Sequence, residues 1–446
     1  MQIHVVEPGD TLSYLSSTYG LPISKIMSDN NLSDPSAISV GQALLIAKPV
    51  VSDTVRAGDD IYAIAARNHV EVTTLLQNNP EFANRQPRAG ETIALDYGEP
   101  KNNSLAVLGY TYDYIDINVL RAALPYMTYV AVFGYGFTST GEVTEVNDAK
   151  IIEEAHLRGV KVLLSITTIT DSGAFDNPYT ELLLSQPDFT DRVINRMMAI
   201  ITEKGADGLD IDMEYVPPNS KDGFVRFVRR AAEACHARGY LLNVAVAPKN
   251  YVEQPGVLYE AHDYREIGRY ADTVFLMTYE WGYKYGTPMA VAPLPNVRRV
   301  LEYALTEIPA SKIILGIPNY GYDWKLPFVQ GETVAESLSN VVAAARAKQM
   351  NTEILFDAVS ASPFYYYNVA KSTLDPGFSR DPVGNTPAPY ANRDSHVVWF
   401  EDVRSVREKF SLAADKGIYG VGYWSLMYPF AQNYLYLAGS YNIIKL

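Results

Sequence analysis

The sequence predicts an α/β protein: a (β/α)8 TIM barrel with a small β-rich insertion between strands 7 and 8, preceded by two small βααβ modules. Three observations carry that prediction. Landmarks in the first 97 residues recur at one fixed offset. Beyond them, short β-rich runs alternate with amphipathic helical stretches. Within one of those runs, Asp207-Gly208-Leu209-Asp210-Ile211-Asp212-Met213-Glu214, three carboxylates stand at alternate positions of an otherwise apolar strand.

The repeat comes first along the chain. Gly9-Asp10-Thr11-Leu12 recurs as Gly58-Asp59-Asp60-Ile61, Asn30 as Asn79, and Gly41-Gln42-Ala43-Leu44-Leu45-Ile46 as Gly90-Glu91-Thr92-Ile93-Ala94-Leu95, always 49 residues on. Self-similarity at one offset marks duplicated modules, with expected bounds 1–49 and 50–97. Each reads strand, helix, helix, strand. Pro8-Gly9 turns the chain after the first strand, and Asp10 is expected to cap a helix carrying Leu12, Leu15 and Tyr19 on one face. Pro22 opens the second helix, Asn30-Asn31 ends it, and Ala43–Ile46 closes the module.

Residues 100–446 form the expected third domain. Its eight strands are predicted at Leu105–Tyr110, Tyr129–Phe133, Lys161–Ile166, Gly208–Glu214, Leu242–Ala247, Thr273–Tyr279, Lys312–Ile317 and Gly417–Trp424. Helices are predicted between them, among them Asp148–Arg158, Phe189–Glu203, Gly223–Ala237 and Asp402–Lys416. This alternation closes into a parallel barrel. An open doubly wound sheet is the rival, but no glycine-rich phosphate loop follows the first strand. The long gap before the last strand holds Glu353–Phe356, Phe364–Tyr367 and Val397–Phe400, read as a small β-subdomain over the barrel mouth. Its aromatics either line a cleft at the barrel mouth or fill a small core.

Composition narrows the function. A formal net charge of −14 disfavours nucleic acid and anionic membrane as partners. No run approaches the ~20 apolar residues of a membrane span. The six histidines show no metal-ligand spacing, so no metal and no cofactor are expected. The single cysteine, Cys235, lies in an amphipathic pattern and reads as a buried structural thiol. No signal peptide is seen ahead of the first strand.

The chemistry concentrates on the carboxylate strand. Side chains alternate across a strand, so Asp210, Asp212 and Glu214 share one face and Leu209, Ile211 and Met213 the other. In a barrel the apolar set meets the helices and the acids point inward. Burying unpaired carboxylates together is costly, which favours a catalytic purpose. Glu214 is uppermost, at the rim where barrel active sites lie. A neighbouring negative charge is expected to keep it partly protonated, as a general acid requires. Asp212 is placed to accept a proton or orient an amide, and Asp210 to share a proton with Asp212.

These residues carry two resemblances. The repeated modules resemble LysM, which implies binding to N-acetylglucosamine-containing glycans beside Gly9, Asp10 and Thr11 and the loop Ser33–Ile38, and in the second copy beside Gly58, Asp59 and Asp60 and the loop near Phe82. Asp60 stands where the LysM motif prefers Thr. The acidic run resembles the Asp-Gly-x-Asp-x-Asp-x-Glu signature of glycoside hydrolase family 18. Met277-Thr278-Tyr279 and the strand-ending Trp424 and Tyr110 agree with it. Two departures stand out: Ser165-Ile166-Thr167-Thr168 replaces Ser-x-Gly-Gly, and Glu280 replaces Asp or Asn. Paired LysM modules ahead of such a barrel resemble the spore-cortex fragment-lytic N-acetylglucosaminidases of spore-forming bacteria.

The resemblance implies a substrate-assisted retaining hydrolysis. Glu214, Asp212, Asp210 and Tyr279 would be catalytic, and Trp424, Tyr110, Met277, Asp207 and Glu280 would bind substrate. It further implies peptidoglycan glycan strands as partner and a spore-associated (cortex or coat) or cell-wall location; a monomer is expected. Chitinase or chitooligosaccharide hydrolase is the alternative enzyme. A wall-binding lectin of the same fold is the non-enzyme alternative, against which the presence of Glu214 speaks.

Overall fold

The computed structural model describes residues 1–169, 178–370 and 393–446. Each N-terminal module is a two-stranded antiparallel sheet enclosing two helices. The first joins Gln2–Val5 to Ala43–Ile46 around helices Leu12–Tyr19 and Ile23–Asp29; the second joins Val51–Thr54 to Thr92–Asp96 around Ile61–Asn68 and Val72–Asn78. Leu12, Leu15, Ile26 and Leu44 form the first small core, and Ile61, Ile64, Leu75 and Ile93 the second.

The recurring landmarks have physical roles. Asn30 clamps the closing strand through its side chain, donating to the Leu45 carbonyl (2.9 Å) and accepting from the Leu45 amide (2.7 Å). Asn79 does the same with Ala94 at 2.7 and 2.8 Å. The predicted helix cap moves by one residue. Thr11, not Asp10, caps the first helix by accepting from the Tyr14 amide (3.1 Å). Asp60, the matching position, caps its helix from the Ala63 amide (2.7 Å). A carboxylate accepts that bond as well as a hydroxyl does, so the departure from Thr preserves the cap.

Eight parallel strands close the barrel: β1 Ser104–Tyr112, β2 Tyr129–Phe137, β3 Lys161–Thr167, β4 Gly208–Asp212, β5 Leu241–Val246, β6 Thr273–Leu276, β7 Ile313–Pro318 and β8 Gly420–Trp424. Each pairs with the next, and β8 pairs with β1. Helices pack outside by apolar spacing. Lys221–His236 buries Phe224, Phe227, Val228, Ala231 and Cys235. Gly208 is required by close approach, since a Cβ there would lie 2.3 Å from the Leu241 carbonyl oxygen.

Between β7 and β8 lies a five-stranded antiparallel sheet, richer than the sequence suggested. Besides Leu355–Asp357, Ser362–Ala370 and Arg393–Trp399 it contains Gly321–Leu326 and Glu336–Leu338, and a helix, Asn340–Gln349, packs against it. The insertion is therefore α+β, and its first strand continues almost directly from β7. The aromatics of the three expected runs do not line the cleft, which takes its insertion aromatic from the first strand instead. Tyr365, Tyr367 and Phe400 fill the insertion's own core, while Tyr322 faces the barrel cleft.

The modules are docked on the barrel. Ala43, Leu45, Ala47, Ala94 and Tyr97 share one buried cluster with Val403 and Leu435 of the outer helices. Hydrogen bonds run from the Gln77 side chain to the Pro125 carbonyl (2.8 Å) and from the Tyr126 hydroxyl to the Gln77 carbonyl (2.8 Å). Among the described residues, no helix is long and apolar enough to cross a membrane.

Candidate active site

A cleft of about 680 Å³ opens at the C-terminal end of the barrel strands. Asp212, Glu214, Met277, Tyr279, Glu280 and Trp424 line it together. β4 itself ends at Asp212, so Glu214 stands just beyond the strand, with Tyr215 following in a left-handed conformation (φ 57°). Glu280 also has positive φ, at 66°. Two non-glycine residues in this region at one rim mark a backbone held in place by its surroundings.

Asp210 lies beneath the cleft, fully buried, with both oxygens engaged. Oδ1 accepts from the Tyr110 hydroxyl (3.0 Å) and the Asn243 amide (2.6 Å), and Oδ2 from the Ser165 hydroxyl (2.5 Å). Ser165 and Asn243 are the register neighbours of Asp210 on β3 and β5. Asp210 is thus held by three neutral donors, and no bond links it to Asp212. Burial pushes its carboxyl up to about 6 against the pull of those donors. Asp212 is also buried, and its Oδ1 has no hydrogen-bond partner among the described residues. Burial, then the charges of Glu214 and Asp210, hold its carboxyl well above the usual range.

Burial also pushes Glu214 up to about 7, helped by the charge of Glu280. Glu280, just beyond β6, thus adds a like charge from outside the carboxylate strand, while Glu214 and Asp212 repel each other along it. Glu280 accepts hydrogen bonds from Tyr320 and, at 3.0 Å, from Tyr322. Tyr279 has its hydroxyl pushed well above its ordinary value by burial and by the surrounding carboxylates, so it remains a donor. Trp424 stands on edge against Phe133, with ring centroids 5.0 Å apart, and near Tyr110 at 5.6 Å. Tyr110 is a support under the cleft rather than part of its lining.

Asp207 is not brought to the cleft. It precedes the N-terminal end of β4, where it accepts from Lys161 (2.8 Å), from the Val162 amide (2.8 Å) and pairs with His156 (2.8 Å). It locks the bottom of the barrel. The module residues also carry structural duties. Gly9 and Gly58 turn with φ of 96° and 84°. Asp10 accepts from the Glu7 amide and pairs with His4, and Asp59 accepts from the Arg56 amide and Arg67. Both carboxylates thus bond within their own modules, Asp10 through Oδ2 alone and Asp59 through both oxygens.

Several cleft residues escaped the sequence reading: Tyr112, Tyr259, Trp281, Tyr320, Tyr322 and Tyr428. Asn243 had a signal, as the one amide in the apolar run Leu241–Val246. His262 had none. It is buried, accepts at Nδ1 from the Ala247 amide (2.8 Å) and donates at Nε2 to the Met213 carbonyl (3.2 Å), the residue before Glu214.

Residues 106–428 match Glycosyl hydrolases family 18, and residues 4–47 and 54–96 match the LysM domain. The chain belongs to glycosyl hydrolase family 18 and is a glycosidase carrying two LysM modules. It is similar to the cortical fragment-lytic enzyme of Bacillus subtilis (strain 168), with 32% identity across 100% of this chain and 99% of the relative. The solved spore cortex-lytic enzymes SleL of Bacillus cereus and Bacillus megaterium QM B1551 superpose with TM-scores of 0.78 and 0.79. Both are 30% identical, over 100% of this chain and 99% of theirs.

Proposed function

We propose that the protein hydrolyses β-1,4 glycosidic bonds after N-acetylglucosamine in peptidoglycan, with spore-cortex fragments as substrate, by substrate-assisted retention. The observation that carries this reading is Asp212: a buried carboxylate at the cleft whose Oδ1 lacks a donor. The amide N–H of a 2-acetamido sugar supplies one. The names of the similar proteins support the choice of cortex.

The sugar before the scissile bond rests on Trp424. Glu214, protonated near neutrality, gives its proton to the leaving oxygen. The acetamido carbonyl attacks the anomeric carbon, so no enzymic nucleophile is needed, an exception to the two-carboxylate scheme. Asp212 accepts a hydrogen bond from the acetamido N–H and so stabilises the oxazolinium, Tyr279 donates to the acetamido oxygen, and Asp210 lies beneath, held by Tyr110, Ser165 and Asn243. Glu214, now ionised, removes a proton from water as it opens the ring. The LysM modules hold the enzyme at the spore wall, and the chain acts as a monomer.

The test compares purified cortex peptidoglycan with chitin, followed by borohydride reduction and mass spectrometry. A muramic lactam cannot swing its ring-bound carbonyl beneath the anomeric carbon, so N-acetylglucosaminitol is expected at every new end. Muramitol or reduced lactam at those ends refutes the bond and the mechanism. Faster cleavage of chitin than of cortex makes the protein a chitinase instead.

A further inference from the structure

The chain leaves the barrel sheet before it reaches Glu214. β4 pairs with β3 as far as Asp212, opposite Thr167, and with β5 as far as Ile211, opposite Val244. Met213, Glu214 and Tyr215 lie beyond those ladders, and Tyr215 has a left-handed backbone (φ 57°). The cleft also pushes on this segment. Asp212, Glu214 and Glu280 stand in it together, and no described lysine or arginine lines it to offset them.

Two buried side chains brace the segment, one from beyond β3 and one from beyond β5. The Thr168 hydroxyl donates to the Glu214 carbonyl (3.3 Å), and His262 donates to the Met213 carbonyl (3.2 Å). These carbonyls belong to the two peptide planes that flank the Glu214 Cα. Fixing both planes fixes φ and ψ of Glu214, and with them the direction of its Cα–Cβ bond. Thr168 is itself held in place. The hydroxyl of its neighbour Thr167 accepts from the Ile169 amide (3.1 Å) and donates to the Tyr135 carbonyl of β2 (3.5 Å). Thr167 and Thr168 stand where the sequence departs from Ser-x-Gly-Gly, and a glycine there has no hydroxyl to offer.

We propose that Thr168 is a positioning residue for the catalytic acid: its hydroxyl, bonded to the Glu214 backbone, aims the carboxyl at the leaving oxygen. Thr168 does not line the cleft, so it acts through Glu214 and not on the glycan. A displacement of about 1 Å at a reacting group can cost roughly a hundredfold in rate, so one backbone bond at this position has leverage over turnover. The inference rests on Glu214 as the acid, as in the function proposed above.

The experiment compares full-length wild type, Thr168→Val, Thr168→Ser and Glu214→Gln on two substrates. One is an unsubstituted N-acetylglucosamine oligomer, whose departing sugar must be protonated. The other is a dinitrophenyl di-N-acetylchitobioside, whose phenolate leaves without a proton. Thr168→Val should lose about tenfold in kcat/KM on the oligomer, through kcat with KM unchanged, and clearly less on the aryl glycoside. Thr168→Ser keeps the hydroxyl and should recover most of the loss. Thr168→Ala, which also lacks the hydroxyl, takes the place of the valine variant if that one does not fold. An equal loss on both substrates, a loss shared by Thr168→Ser, or no loss at all overturns the inference. Glu214→Gln reads the assignment beneath it. If that variant keeps its oligomer rate, Glu214 is not the acid and the proposed function fails together with this inference. If it is crippled while Thr168→Val matches wild type, this inference alone fails.

Discussion

His262 offers the sharpest perturbation. Burial, reinforced by the nearby Lys249 charge, lowers its imidazole from 6.5 to about 4, opposed by its bond to the Met213 carbonyl. The Phe224 ring packs 5.4 Å away, and Lys249 Nζ donates to the His262 backbone oxygen (3.1 Å). Above about pH 6.5 the imidazole is neutral in both folded and unfolded chains. Between about 6.5 and 4 the unfolded chain takes a proton that the folded one refuses, so stability falls as pH falls. The gap of about 2.5 pH units corresponds to ~3 kcal/mol. Asp210 and Glu214 have raised values and act oppositely: they favour the folded state at low pH, an effect lost as pH rises through about 6 and about 7. The raw stability curve therefore mixes signs, and a difference between proteins isolates the histidine. Denaturant unfolding of wild type and His262→Gln at pH 7 and pH 4 should show wild type losing ~3 kcal/mol more than the variant. Glutamine does not titrate but can still donate toward Met213. His262→Ala removes both bonds, costs about 1–3 kcal/mol for each buried group left unpaired, and should lower kcat by loosening the chain before Glu214. Parallel curves for wild type and Gln, or normal kcat in the Ala variant, would refute the reasoning.

Glu214→Gln should lose at least ~100-fold in kcat while keeping its fold and its glycan affinity, the low end for general acid catalysis; single-turnover hydrolysis of soluble fragments measures it. Glu280→Gln removes a like charge, so the Glu214 value should drop below about 7 and the basic limb of the rate profile should move to lower pH. A limb that stays put would disconnect Glu280 from the acid. Deleting residues 1–97 uncovers the fully buried Val403 and Leu435, at about 1.5–3 kcal/mol per side chain. The truncated protein should melt several degrees lower and sediment less with insoluble wall, yet still cleave short soluble glycans below its melting temperature; equal sedimentation of both forms would contradict this.

What was legible in the sequence was what local periodicity encodes. The 49-residue offset showed two modules because each is a self-contained strand-helix-helix-strand unit. The carboxylate run showed an active strand because side chains on a strand alternate faces, whatever surrounds it. Even the fate of Asp207 was partly written there. It lies three residues before Asp210, out of phase with the acids at 210, 212 and 214, and toward the strand's N-terminal end. The Asn30 and Asn79 clamps are visible as a repeated residue, though not as the bonds they make to Leu45 and Ala94.

Contacts between segments distant in the chain were decided only by tertiary structure. Asp210 meets Tyr110, Ser165 and Asn243 because strand register places β1, β3 and β5 around it. Glu280 assists burial in raising Glu214, because β5 pairs with both β4 and β6 and sets their C-terminal ends at one rim. Tyr320 and Tyr322 reach the cleft because the insertion's first strand leaves β7 at the rim. Leu45 and Ala94 lose their water to Val403 and Leu435, residues more than 300 positions away. Periodicity determines which face of an element is apolar or acidic. Which other face it meets depends on closing the chain on itself, and that is where the acid's titration range, the floor of the site and the docking of the modules were settled.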